Sequence, residues 1–149
     1  MSREIRFRCW DQKDKKYLLP EKQGFVILPT IPSFGVTLPY ENCSNPGNID
    51  EDCIDWADAD LLMGRYELEQ YTGLKDKNGK EIYEGDVVSW ITPAGVSMIY
   101  EVYFNELRAT FLMNPIVGDE YIEGMSAKKT PYIEVIGNIH QKKWAPDDA

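Results

Sequence analysis

The chain has 149 residues, of which 43% are hydrophobic and 12% are aromatic. This length and composition indicate one domain, or one small domain with an elaboration, and exclude an intrinsically disordered chain. The formal net charge is −9. Because nucleic-acid backbones are bound by clustered Lys and Arg, this charge argues against general phosphate-backbone binding.

The charge is distributed unevenly along the chain. Residues 41–70 carry nine acidic side chains and one basic side chain, whereas residues 1–40 carry seven basic and four acidic ones. No window reaches the roughly 18 apolar residues of a membrane span, and the charged N-terminus does not resemble a signal peptide. We therefore expect a cytoplasmic protein that does not interact with a membrane.

The alternation of residues 4–10 predicts a half-buried strand, and a charged turn at 11–16 followed by residues 17–19 predicts an antiparallel hairpin. The predicted inner face of the strand holds Ile5, Phe7 and Cys9, and the outer face holds Glu4, Arg6, Arg8 and Trp10. Solvated charge on the strand face is the simpler interpretation of the arginines. The functional alternative is an anionic contact formed by Arg6, Arg8 and Trp10.

The next stretch is apolar but is interrupted by prolines, so it predicts short edge strands near Phe25–Leu28 and Val36–Leu38 rather than a long helix. The three cysteines are Cys9, Cys43 and Cys53. In a reducing compartment free thiols are expected, with a Cys43–Cys53 disulfide as the alternative.

An acidic segment follows, with six acidic residues and no basic residue between Asp50 and Asp60. Apolar residues at helical spacing predict a short amphipathic helix from about Asp50 to Leu62. A solvated helix face is one interpretation, and a partner-binding surface is another. The candidate residues of that surface are Asp50, Asp52, Asp55, Asp58, Asp60 and Trp56. An acidic mimic of nucleic acid that occupies the basic groove of an enzyme is a further alternative. The spacing is not that of a calcium-binding EF-hand loop, so no metal is expected.

The C-terminal half predicts a series of short strands joined by tight turns. The predicted strands are residues 66–71, 86–92, 96–104, 108–114 and 133–136. Asn78-Gly79 predicts a hairpin with a type I′ turn, which needs positive φ at both central positions. Ile99 and Tyr103 fall on the outer face of their strand, which favours self-association.

No pattern of catalytic residues is present. His140 is the single histidine, and neither a Ser-His-Asp order nor a phosphate-binding loop occurs. We therefore expect a non-enzymatic protein without a cofactor.

Three separated segments carry a family resemblance: residues 3–11 (REIRFRCWD), residues 70–86 (QYTGLKDKNGKEIYEGD) and residues 133–140 (IEVIGNIH). In this order and spacing the chain resembles the YopX family, small proteins encoded by bacteriophages and prophages, mainly of Gram-positive bacteria. The chain departs from the family at His140, where an aromatic residue is common, in the tail at residues 141–146, where the family often has an acidic Asn-Pro tail, and across residues 24–60.

The resemblance implies an SH3-like barrel in the C-terminal part and supplies no catalytic residues, because the family has no established activity. The predicted architecture is a mainly β protein packed as one compact unit. Residues 1–63 would form the N-terminal hairpin and an irregular acidic insertion with one helix, and residues 64–149 the barrel and tail. The predicted function is binding of a host or phage protein. Formation of a homo-oligomer is a further alternative. Nucleic-acid binding through an aromatic and arginine face at Arg3, Arg6, Arg8 and Trp10 is the alternative.

Overall fold

The computed structural model describes residues 4–18, 25–28, 33–37, 54–56, 63–116 and 121–141. The chain divides into two compact units: unit 1 is Met1–Arg6 with Gln70–Ala149, and unit 2 is Phe7–Glu69. The described residues form twelve strands and one 3-10 turn, with no α-helix. The prediction of a mainly β protein is therefore confirmed. No helical segment in these ranges is long and apolar enough to cross a membrane.

Unit 2 contains two small sheets. The first has the order β2-β1-β6 and the second has the order β3-β4-β5. The strands are β1 (Phe7–Asp11), β2 (Lys16–Leu18), β3 (Phe25–Leu28), β4 (Ser33–Thr37), β5 (Ile54–Trp56) and the first residues of β6 (Tyr66–Lys75). The predicted hairpin is present, since Cys9 pairs with Leu18 and Asp11 with Lys16 in antiparallel register. The strand near Phe25–Leu28 is also confirmed.

The core of unit 2 is a small apolar cluster of Cys9, Leu18, Phe25 and Tyr66. Two expectations for the N-terminal strand are wrong. Ile5 is 61% exposed rather than buried, and Trp10 is buried rather than on an outer polar face. The reason is local pairing: the strand begins at Phe7, and the Trp10 ring lies edge-on against Tyr17, with centroids 4.9 Å apart.

The predicted acidic helix is wrong where the structure describes it. Residues Ile54–Trp56 form β5, in which Asp55 pairs with Val36 and Trp56 with Gly35 of β4. β-Branched Ile54 and aromatic Trp56 favour a strand, and neighbouring acidic residues repel one another on a helix. Pairing with β4 therefore outweighs the helical spacing of the apolar residues. The rest of the predicted helix lies outside the described residues.

Unit 1 is built on a five-stranded antiparallel sheet of order β11-β10-β9-β8-β12. Its strands are β8 (Asp86–Ile91), β9 (Ser97–Asn105), β10 (Thr110–Pro115), β11 (Glu123–Gly124) and β12 (Ile133–Asn138), with β7 (Glu81–Tyr83) paired to the later part of β6. A 3-10 turn, Thr130–Tyr132, leads directly into β12. The last strand thus returns to pair beside β8, the first strand of the meander.

The core of unit 1 lies on one face of this sheet. It consists of Ile82, Val88, Trp90, Tyr100, Val102, Met113 and Ile133. Alternation places Tyr100 and Val102 of β9 inside, whereas Phe104 of the same face is 41% exposed and Ile99 and Tyr103 are half-buried.

The Asn78-Gly79 hairpin is present, but its predicted turn type is wrong. The Gly79 N–H donates to the Asp76 carbonyl at 3.0 Å, and the Asp76 N–H donates to the Lys80 carbonyl at 2.8 Å. Gly79 has φ +79°, whereas the described non-glycine residues with positive φ are Lys15 and Ala109. This is a three-residue loop, a type I turn followed by a left-handed glycine. The Asp76 carboxylate stabilises it by accepting the N–H groups of Asn78 and Lys80.

Candidate functional site

One cavity of unit 1 has a volume of about 700 Å³. We call it the Trp90–Tyr132 groove. Its described lining residues are Trp90, Ile91, Thr92, Pro93, Glu123, Lys128, Lys129 and Tyr132. Volumes of 300–1,000 Å³ are typical of sites that bind ligands.

The floor of the groove is set by the sheet. Trp90 lies on β8 between Met98 of β9 and Ile133 of β12. Its ring is 6.0 Å from the Tyr100 ring, and only 7% of the residue is exposed. Because β8 is hydrogen-bonded on both sides, the position of this indole is fixed by the core of unit 1.

One wall of the groove is the 3-10 turn before β12. The Tyr132 N–H donates to the Lys129 carbonyl at 2.9 Å, and Pro131 occupies the start of the turn. Proline fixes φ near the helical value and so favours this short turn. Tyr132 is left 58% exposed beside the buried indole. An exposed aromatic ring on such a turn can pack against a bound ligand.

The turn between β8 and β9 also lines the groove. The Gly95 N–H donates to the Thr92 carbonyl at 2.8 Å, and the Thr92 hydroxyl accepts the Val96 N–H at 3.2 Å. Gly95 has φ +81°, which a glycine adopts without strain. The turn leaves Pro93 exposed, and the preceding Ile91 is 49% exposed.

Two lysines give the groove its charge. The Lys129 ammonium lies 4.9 Å from the Trp90 ring centroid, and it donates to Glu123 Oε2 at 3.0 Å and to the Gly124 carbonyl at 2.9 Å. Lys128 is exposed, and no described residue forms an ion pair with it. Among the described residues, the groove therefore contains one cation in an internal ion pair, Lys129, and one exposed cation, Lys128, for which no ion pair is described.

The described lining residues include one ion pair. Glu123 is the one carboxylate among them, and Lys129 holds it in an ion pair. No His, Cys or Ser occurs in this set.

A second cavity of about 330 Å³ also lies in unit 1. It is lined by Gln70, Thr72, Leu74, Phe104, Ala109, Thr110, Phe111 and Met125, none of them charged. The Phe104 and Phe111 rings meet edge-on at 5.2 Å. Its polar side chains are Gln70, Thr72 and Thr110.

Arg6, a residue of the predicted anionic contact, is paired within unit 1. Its guanidinium donates to Glu81 and, at 2.8 Å, to Glu4, and it lies 4.9 Å from the Tyr71 ring centroid. Desolvation acts to lower the pKa of Arg6, but the hydrogen bond and charge of Glu81 outweigh it and the net pKa is raised. The charge of Arg6 is thus directed at carboxylates of its own unit.

Arg8 and Trp10 lie in unit 2 and are largely enclosed. The Arg8 Nε donates to Glu69 Oε1 at 2.8 Å, and the guanidinium lies 4.3 Å from the Tyr17 ring centroid. The side chains of Arg8 and Glu69 are 11% and 6% exposed. Nucleic-acid binding through these residues stays a prediction, and their described contacts are those of a structural ion pair.

The candidate acidic surface lies mostly outside the described residues. Asp55 and Trp56 lie on β5, paired with β4, while Asp50, Asp52, Asp58 and Asp60 fall in undescribed ranges, as does Arg3.

Sequence reasoning placed Trp90, Ile91 and Thr92 in a predicted strand, residues 86–92, and assigned none of the groove residues to a site. It missed Tyr132, Lys128 and Lys129. The signal that could have found them is the run Lys-Lys-Thr-Pro-Tyr at 128–132, a proline turn directly before a strand.

Fold and groove together define a small, mainly β protein with an aromatic surface groove. The chain belongs to the YopX family, since the family model described as YopX protein matches residues 6–143. The resemblance of the three sequence segments is thereby confirmed. No curated protein matches the chain.

The chain is also similar in fold to a solved structure, the crystal structure of protein EF1440 from Enterococcus faecalis. The TM-score is 0.56 at 24% identity, and the match covers 95% of this chain and 97% of that one. At this identity the likeness concerns the fold alone.

Proposed function

We propose that this YopX-family protein is a non-enzymatic protein-binding module, and that unit 1 holds an extended segment of a partner protein in the Trp90–Tyr132 groove. The proposal rests on the exposure of Tyr132, which is 58% exposed beside the buried Trp90 indole, on a turn that has a proline at its start. Aromatic-lined grooves bind extended, proline-containing segments because the rings pack against a preformed backbone.

We further propose that unit 1 is an SH3-like barrel. The support is its five-stranded antiparallel sheet, in which a meander from β8 to β10 is closed by β12 returning to β8 after a 3-10 turn. We also propose that the protein is a phage or prophage accessory protein that acts in the cytoplasm of a bacterial host.

The test is selection of peptides from a random library against the full chain, followed by NMR mapping of the selected peptides. We expect amide shift changes at the groove residues and at least about a tenfold loss of affinity in Tyr132→Ala, as for a central aromatic contact. Leu107→Ala is the matched control, since Leu107 is 98% exposed in the β9–β10 turn and does not line the groove. Equal affinity in wild type and Tyr132→Ala would reject the groove as the binding surface.

The acidic segment is a second proposed partner surface, as expected from its charge. Its test is charge reversal by Asp55→Lys together with Asp58→Lys. Loss of a partner that the Tyr132→Ala variant still binds would assign that partner to the acidic segment, and retained binding would remove the segment from the proposal.

A further inference from the structure

The charge arrangement of the groove identifies the kind of segment that fits it. We infer that the partner segment is acidic: an extended stretch with proline or aliphatic side chains on the rings and a carboxylate on Lys128. This inference rests on the proposed function and specifies its ligand.

The Trp90 ring is the position in the groove at which a cationic ligand would bind. Lysine and arginine side chains bind the faces of tryptophan rings. In this groove the protein's own Lys129 ammonium already lies 4.9 Å from the Trp90 centroid and is held there by two hydrogen bonds, to Glu123 and to the Gly124 carbonyl. A basic peptide would have to displace it, so the internal lysine selects against cationic ligands.

The described ionised residues of the lining are Glu123, Lys128 and Lys129. Glu123 and Lys129 neutralise each other at 3.0 Å, and Lys128 adds an exposed positive charge. The described lining residues therefore carry a net positive charge on a chain whose total is −9. A carboxylate on the partner complements this local charge, and complementary charge accelerates association and fixes register.

Apolar side chains also line the groove. Ile91, Pro93 and Tyr132 are all exposed along the groove. Such rings and aliphatic groups contact proline and leucine side chains, which add area at low entropic cost when the segment is already extended. Apolar contacts would thus supply affinity and Lys128 would supply specificity.

The test uses three synthetic peptides with one core, Pro-Pro-Leu-Pro, flanked at both ends by Asp-Glu, by Asn-Gln or by Lys-Arg. Affinities are measured by calorimetry with the full chain. We expect the acidic peptide to bind best and the basic one worst. Lys128→Glu should weaken the acidic peptide by about threefold or more and strengthen the basic one, since it reverses an exposed charge.

Lys129→Ala provides an independent readout. It exposes the Trp90 face and leaves Glu123 without its cation, so the basic peptide should gain affinity while the acidic one does not. Circular dichroism and NMR spectra of the variant establish that it is folded. An unchanged preference in both lysine variants would overturn the inference.

The outcomes separate the inference from the proposed function. If all three peptides bind equally and Tyr132→Ala weakens each, the acidic ligand is wrong and the groove stands. If none binds while library-selected peptides do, the inference also fails alone. If the acidic peptide binds Tyr132→Ala as tightly as wild type, the proposed function fails.

Discussion

The Asp76 carboxylate accepts the backbone N–H of Val135 at 2.9 Å, across 59 residues of chain. Its other oxygen accepts the N–H groups of Asn78 and Lys80, at 2.8 and 2.9 Å. One buried side chain therefore holds the turn of the β6–β7 hairpin and connects it to β12, the strand that follows Tyr132. Burial of Asp76 is possible because backbone donors compensate for the lost hydration of its charge.

Removal of this carboxylate should destabilise unit 1. We expect Asp76→Ala to lower the free energy of unfolding by at least about 2 kcal/mol, because three N–H groups lose a charged acceptor. Urea unfolding of the full chain measures the effect. The matched control is Glu134→Ala, which removes the pair of Glu134 with Lys77 at 3.2 Å, where both side chains are 43% exposed. An exposed pair of this kind contributes less than about 1 kcal/mol. Equal losses in the two variants would contradict the assigned role of Asp76.

The same carboxylate predicts a dependence of stability on pH. Burial acts to raise the pKa of Asp76, but the N–H groups of Val135, Lys80 and Asn78 outweigh it, so the net pKa is lowered. The stabilisation is then fully present above the unfolded value of about 3.9 and is lost as the pH falls toward the folded value.

We therefore expect wild type to lose stability more steeply than Asp76→Asn between about pH 5 and pH 3. Unfolding curves measured across this range provide the comparison. Asp11 makes the stability depend on pH in unit 2 as well. Burial acts to raise the pKa of Asp11, but the Arg65 side chain and the N–H groups of Asp14 and Lys13 outweigh burial, so the net pKa is lowered. Adding Asp11→Asn should flatten the profile further. Parallel curves for wild type and Asp76→Asn would refute the linkage.

Gly79 should be sensitive to an added methyl group for conformational reasons alone. A Cβ built there meets no atom within 4 Å, yet φ is +79°. Because an L-residue is strained in that region, Gly79→Ala should cost about 1 kcal/mol. Gly124→Ala is the control, since its Cβ also meets nothing within 4 Å and its φ lies outside the left-handed range. Melting temperatures of the two variants distinguish backbone strain from a lack of space for the added methyl group. A melting temperature of Gly79→Ala equal to that of Gly124→Ala would show that the turn tolerates a side chain.

The thiol of Cys9 should be unreactive in the folded protein. It is fully buried, and burial together with the charges of Asp11 and Glu69 raises its pKa to about 12. Since the thiolate is the reactive species, a thiol reagent at pH 8 should modify Cys9 only after unfolding. A variant with Cys43→Ser and Cys53→Ser isolates the signal. Rapid labelling of that variant without denaturant would indicate that the core of unit 2 opens.

Short-range patterns were sufficient for much of the fold. Alternation in residues 96–104 holds at the centre of the strand, where Tyr100 and Val102 are buried, but not at its ends, where Val96 and Phe104 of the same face are 52% and 41% exposed. Gly79 and Gly85, in turn positions of the sequence, both have positive φ. The resemblance of three segments to the YopX family also required only the order of residues.

The sequence alone was misleading where pairing with a strand remote in the chain determines the local structure. The apolar residues around Ile54–Trp56 have helical spacing, but this segment pairs with β4 as a strand. Strand pairing depends on a partner that is remote in sequence. Arg8 looks solvated on its own strand, yet Glu69 meets it from 61 residues away. The sequence by itself thus determined the mainly β class, the turn glycines, the core alternation and the family. Only the tertiary structure brought Trp90, Glu123, Lys129 and Tyr132 into one groove, because side chains far apart in the chain become neighbours only when the sheet pairs β8 with β12 and β10 with β11.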